Sequence, residues 1–104
     1  MTVPDAVTSH PGLNAAVIAF LGSGNSSFPR ADEEAIIASP VDRAGLVATV
    51  RDLVDECLGT VVDWSTHTLA EGGRAARAAM AQRHPELSPA ALDALAWAYT
   101  YNWR

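Results

Sequence analysis

Two serine–proline pairs, Ser39-Pro40 and Ser88-Pro89, constrain this chain more than any other feature. In each, the serine oxygen can accept from a backbone N–H of the first helical turn. The proline occupies the first helical position, where a missing N–H costs nothing. Asp42 follows Ser39 by three residues and can reach back to the cap, whereas Asp93 comes too late after Ser88 for a full capping box. Apolar residues recur with helical spacing after both pairs. Alanine, the strongest intrinsic helix former, is abundant, and β-branched residues are sparse outside Val41–Val62. The expected fold class is therefore all-α: a small bundle of four or five helices in a single domain spanning 1–104.

Residues 1–9 read as an unstructured lead-in. Pro11 opens a helix that carries Leu13, Val17, Phe20 and Leu21 and stops at Gly22-Ser-Gly-Asn-Ser-Ser27. A short helix over Ala31–Ala38 has an acidic first turn, Asp32-Glu33-Glu34, suited to the positive end of the helix dipole. From Val41, the residues Val47, Val50, Leu53, Val54, Cys57, Leu58, Val61 and Trp64 keep one side of a helical wheel, straight through Gly59. That shared phase predicts one long central helix over about 41–70, with a kink at Gly59 as the alternative. Gly72-Gly73 is expected to break it, before an alanine-rich helix from Arg74 to His84 that ends at Pro85.

The last helix holds four of the chain's seven aromatics, Trp97, Tyr99, Tyr101 and Trp103. Helical spacing puts Tyr99 and Trp103 on the stripe of Leu92 and Leu95, and Trp97 and Tyr101 on the opposite side with Ala90 and Ala94. The alternation over 97–103 also fits a strand, but the capped, alanine-rich approach through Ala90–Ala98 favours helix. A terminal helix can bury one face in its own core. A second aromatic face needs further cover, either internal or from a partner.

Charge narrows the partner. The net charge is −5, the pI is about 4.9, and there is no lysine. Such a chain is repelled by nucleic-acid phosphates and anionic membranes, so neither is expected as a partner. Arg74, Arg77 and Arg83 form the only basic concentration, better suited to pairing with the acidic side of the long helix. The longest apolar stretch, Ala15 to Leu21, is far short of a membrane span, and the N-terminus lacks a basic signal region. A soluble cytoplasmic protein is the expectation.

Reactive groups are few. Cys57 is the lone cysteine, which precludes an internal disulfide, and its apolar neighbours mark it as a small core residue. His10, His67 and His84 share no local motif with a nucleophile, and the Gly22–Ser27 run lacks the lysine of a phosphate loop. No cofactor is expected. On an unbroken helix Asp63, His67 and Glu71 would follow at i+4 steps, offering two carboxylates and an imidazole to one metal ion. A solvated helix face has the same pattern. The reading that follows is a small acidic protein–protein interaction module with Trp97, Tyr101 and Trp103 as anchors. It would act as a homodimer, an accessory subunit, or an inhibitor or antitoxin-type partner of a basic protein. The alternative is a metal- or small-ligand-binding helical domain, with or without enzymatic activity, centred on Asp63, His67 and Glu71.

Overall fold

A computed structural model describes residues 12–103. The described chain is all-helical: α1 (Leu13–Leu21), α2 (Pro40–Leu58), α3 (Leu69–Arg83) and α4 (Pro89–Asn102), with a single 3-10 turn at Glu33–Ala35 between α1 and α2. The expected lead-in over 1–9, His10 and the helix-opening role of Pro11 lie outside the described residues.

Both serine–proline starts form. Ser39 Oγ accepts from Asp42 N–H at 3.3 Å, and Ser88 Oγ from Ala91 N–H at 3.2 Å. The Asp42 carboxylate accepts from the Ser39 hydroxyl at 2.9 Å rather than from the backbone. At the end of α1, Gly22 adopts a left-handed φ of 76° and returns its N–H to Ile18 and Ala19, a conformation that carries no Cβ penalty only for glycine. The helix expected over Ala31–Ala38 shrinks to the one 3-10 turn, started by Asp32 accepting from Glu34 N–H.

The helix expected over 41–70 is not continuous. α2 is the longest helix, but it stops at Leu58, and 59–68 form turns and extended chain. Three contacts account for the break. The Thr60 carbonyl, which a continuing helix would need for Trp64 N–H, accepts instead from the Tyr99 hydroxyl at 2.8 Å. The Asp63 carboxylate takes both the N–H and the hydroxyl of Ser65, at 3.0 and 2.6 Å, a local turn that competes with helix. Thr68 and Glu71 then close a capping box that starts a new helix: Thr68 N–H donates to Glu71 Oε1 at 2.7 Å, and Glu71 N–H to Thr68 Oγ1 at 3.1 Å.

Gly72-Gly73, expected to end a helix, lies inside α3 instead. Both residues are buried, and both are small because something sits on them. A Cβ on Gly72 would stand 2.4 Å from the Trp64 indole, and one on Gly73 would stand 2.5 Å from the Thr100 methyl of α4. These glycines allow close approach; their backbone is ordinary helix.

The middle of the bundle is α4, which packs against all three other helices and most extensively against α3. Its Ala91, Leu92, Ala94, Leu95, Ala98 and Tyr99 are buried with Leu13, Val17, Phe20 and Leu21 of α1, Val50, Leu53 and Cys57 of α2, and Ala76 and Met80 of α3. The central position thus falls to the alanine-rich terminal helix rather than the longest one, because its small side chains let neighbours approach from several directions. Asn14 ties α1 to the α3–α4 turn, donating to the Glu86 carbonyl and accepting from Ser88 N–H.

Candidate interaction surface

The four terminal aromatics divide three ways. Tyr99 is fully buried, as its stripe with Leu92 and Leu95 requires. Burial raises its hydroxyl pKa above the ordinary tyrosine value, with the nearby Cys57 contributing, so it stays a protonated donor to Thr60. Trp103, on the same stripe but at the helix end, is 48% exposed. Its ring meets Tyr99 at 6.3 Å between centroids and Trp64 at 6.1 Å. Trp64 in turn stacks on Tyr99 at 6.2 Å and 19°.

The result is a three-ring cluster, buried at Tyr99 and open at Trp64 and Trp103, where Trp64 is 38% exposed. Gly72 beneath the Trp64 indole and Tyr99 behind both rings support the tryptophans from below. Exposed Val61 and Leu69 lie on the chain either side of Trp64. Trp64 contributes to this surface only because the helix breaks at Gly59. Continuous helical phase places it with the core, so the sequence does not mark its exposure in this cluster.

The expected anchors Trp97, Tyr101 and Trp103 do not share one face. Trp97 is half-buried at the edge of the core, beside a shallow groove between α3 and α4 lined by Gly73, Arg77 and Ala96. Tyr101, 42% exposed, stands in the wall of a different cavity formed by α1, α2 and α4. Trp103 alone joins the Trp64–Tyr99 cluster.

Asp63, His67 and Glu71 are likewise not placed on one helical face. Asp63 lies in the turn with its carboxylate on Ser65, whose hydrogen bonds hold its pKa below the ordinary value. The Nδ1 of His67 lies 3.0 Å from the Asp63 carbonyl oxygen and 2.9 Å from the Thr66 hydroxyl. Glu71 caps α3, and the Thr68 N–H it accepts from lowers its pKa. Each group is committed to local turn or cap geometry, and among the described residues no three His, Cys, Asp or Glu side chains converge as a metal site.

The remaining reactive groups are structural. Cys57 is buried, its thiol directed at the Leu95 carbonyl at 3.6 Å, and burial pushes its pKa up to about 11. Arg83 pairs with Glu56 of α2 at 2.7 Å, as expected of a basic side facing an acidic one, but Arg77 pairs with Asp93 of α4. His84 Nε2 lies 2.8 Å from Glu56, so this carboxylate joins α2 to the end of α3 through two partners. Among the described residues no helix is long and apolar enough to cross a membrane. Comparison with protein-family models, curated proteins and solved structures finds no match.

Proposed function

We propose that this protein is a protein–protein interaction module whose contact surface centres on Trp64 and Trp103. One observation carries the reading: two large rings touch each other at the surface, each more than a third exposed, over a buried ring and a glycine that support them. Exposed tryptophans in a fixed arrangement present apolar area at little further entropic cost, which suits them as interface anchors. Val61 and Leu69 extend the apolar area. Relative to the sequence expectation, Trp103 stays as an anchor, Trp64 replaces Trp97 beside it, and Tyr101 belongs elsewhere. The partner is a second copy or, given the net charge of −5, a basic protein.

The test is solution mass by light scattering at micromolar concentration on untagged protein, paired with cross-linking capture by wild type and by Trp103→Asp. A dimer that Trp103→Asp reduces to 11.0 kDa, or a captured basic protein that it loses, supports the reading. A monomer whose captured set is identical with and without Trp103 refutes it.

A further inference from the structure

We propose that the cavity between the C-terminal ends of α1, α2 and α4 is a binding site for a small carboxylic acid with an apolar body. The cavity holds about 330 Å³, within the range of small-ligand pockets. Its floor is apolar, made by Phe20, Leu21, Val54, Leu58 and Ala98, and Tyr101 and Asn102 close one side. The facing wall, Pro29–Ala31, is pinned across the end of α1 by main-chain bonds from Arg30 N–H to the Leu21 carbonyl at 2.8 Å and from Asp32 N–H to the Phe20 carbonyl at 3.0 Å. The site is therefore built on helix ends and a bonded strap.

The chemistry of the rim selects the ligand. Arg51 is held in place, its Nε donating to Glu33 at 2.6 Å and its guanidinium 5.8 Å from the Phe20 ring centroid. Those bonds use Nε and one terminal nitrogen, leaving the other terminal nitrogen as a donor. Arg30 is half-exposed, and its nearest carboxylate oxygen, on Asp32, is 3.6 Å away, beyond hydrogen-bonding distance. Arg30 and Arg51 both line the cavity, and the planar donor set of a guanidinium is what a carboxylate satisfies bidentately. Asp55 also lines the cavity, so in the proposed pose the ligand's carboxylate lies at Arg30, away from Asp55, and its apolar body lies against Leu58. Because Asp32 and Glu33 already neutralise much of the arginine charge, discrimination comes from hydrogen-bond geometry more than from net charge.

The experiment is an NMR titration of the full chain with 2-naphthoate and, separately, with the uncharged 2-naphthamide. The expected result is binding of naphthoate at least about tenfold tighter than the amide, with shifts at the amides of Arg30, Ala31, Leu58 and Asn102. Arg30→Gln should remove that preference while its spectrum stays folded. Ala31→Phe, which fills the cavity from its exposed rim without touching the core, should abolish binding of both compounds. Equal binding of acid and amide overturns the proposal, as does no saturable binding at millimolar concentration. So do shifts confined to the Trp64–Trp103 surface, and a naphthoate affinity unchanged by Arg30→Gln.

Discussion

Replacing Gly72 by alanine sets two effects of opposite sign against each other. In an ordinary helix interior the change stabilises by up to about 1 kcal/mol, because glycine loses more backbone entropy on folding. Here the new methyl would stand 2.4 Å from the Trp64 indole, so the ring must leave its seat. Trp64 is 38% exposed, so roughly three fifths of a side chain that buries about 200 Å² is covered. Losing that cover costs about 3 kcal/mol, and the two ring contacts to Tyr99 and Trp103 add about 1–3 kcal/mol. That total is an upper bound, since an indole at the surface slides aside and keeps part of its packing. The expected net effect is destabilisation by about 2 kcal/mol, a fall in Tm of about 8–16 °C. Urea unfolding followed by circular dichroism measures it, with near-ultraviolet ellipticity reporting the tryptophan cluster. The decisive control is the same change in a Trp64→Ala background, where alanine at 72 should stabilise by up to about 1 kcal/mol. Gly45, on α2 with nothing near its would-be Cβ, supplies the unobstructed reference. If Gly72→Ala stabilises the wild type as Gly45→Ala does, the seat of Trp64 is wrong, and with it the support claimed for the interaction surface.

Asn14→Ala removes both bonds between α1 and the α3–α4 turn and should cost about 1–2 kcal/mol in denaturant unfolding, with Asn14→Asp recovering only the acceptor role toward Ser88. Thr60→Val should be neutral or stabilising by up to about 1 kcal/mol in thermal unfolding, because the Thr60 hydroxyl is buried without a hydrogen-bond partner. Glu56 has its pKa lowered, first by Arg83, then by His84. Its contribution to stability is therefore present above its unfolded value near 4.5 and lost as pH falls through the lower folded one. In acid titrations followed by circular dichroism, Glu56→Gln should reduce stability at neutral pH and flatten that part of the acid dependence. Cys57 should resist a thiol reagent at pH 8 in the native protein and react fully once the chain is unfolded in urea.

Much of the fold was legible because its signals are local. Ser39-Pro40 and Ser88-Pro89 start helices through atoms within three residues of one another, and Gly22 stops one through its own φ. Thr68-x-x-Glu71 is an equally local signature, and it marks a helix start at 69. The continuous apolar phase through Val61 and Trp64 pointed the other way. Periodicity describes what a helix would bury if it formed there, and a capping box followed by a second helix preserves much of the same pattern. The candidate surface was legible only in part. Trp103 was visible as a terminal aromatic, but its neighbour Trp64 is 39 positions away, and helical spacing says nothing about a residue in a turn.

Local chemistry alone thus determined that the described chain is helical, where the helices after Ser39-Pro40 and Ser88-Pro89 begin, that Cys57 is core, and that Tyr99 points inward. Tertiary contact decided the rest. Tyr99 takes the Thr60 carbonyl and helps end α2, Trp64 folds onto Gly72, and α4 becomes the helix around which the others pack. A long-range hydrogen bond and a ring seated on a glycine depend on which distant residues meet, and that is set by the packing of the whole bundle.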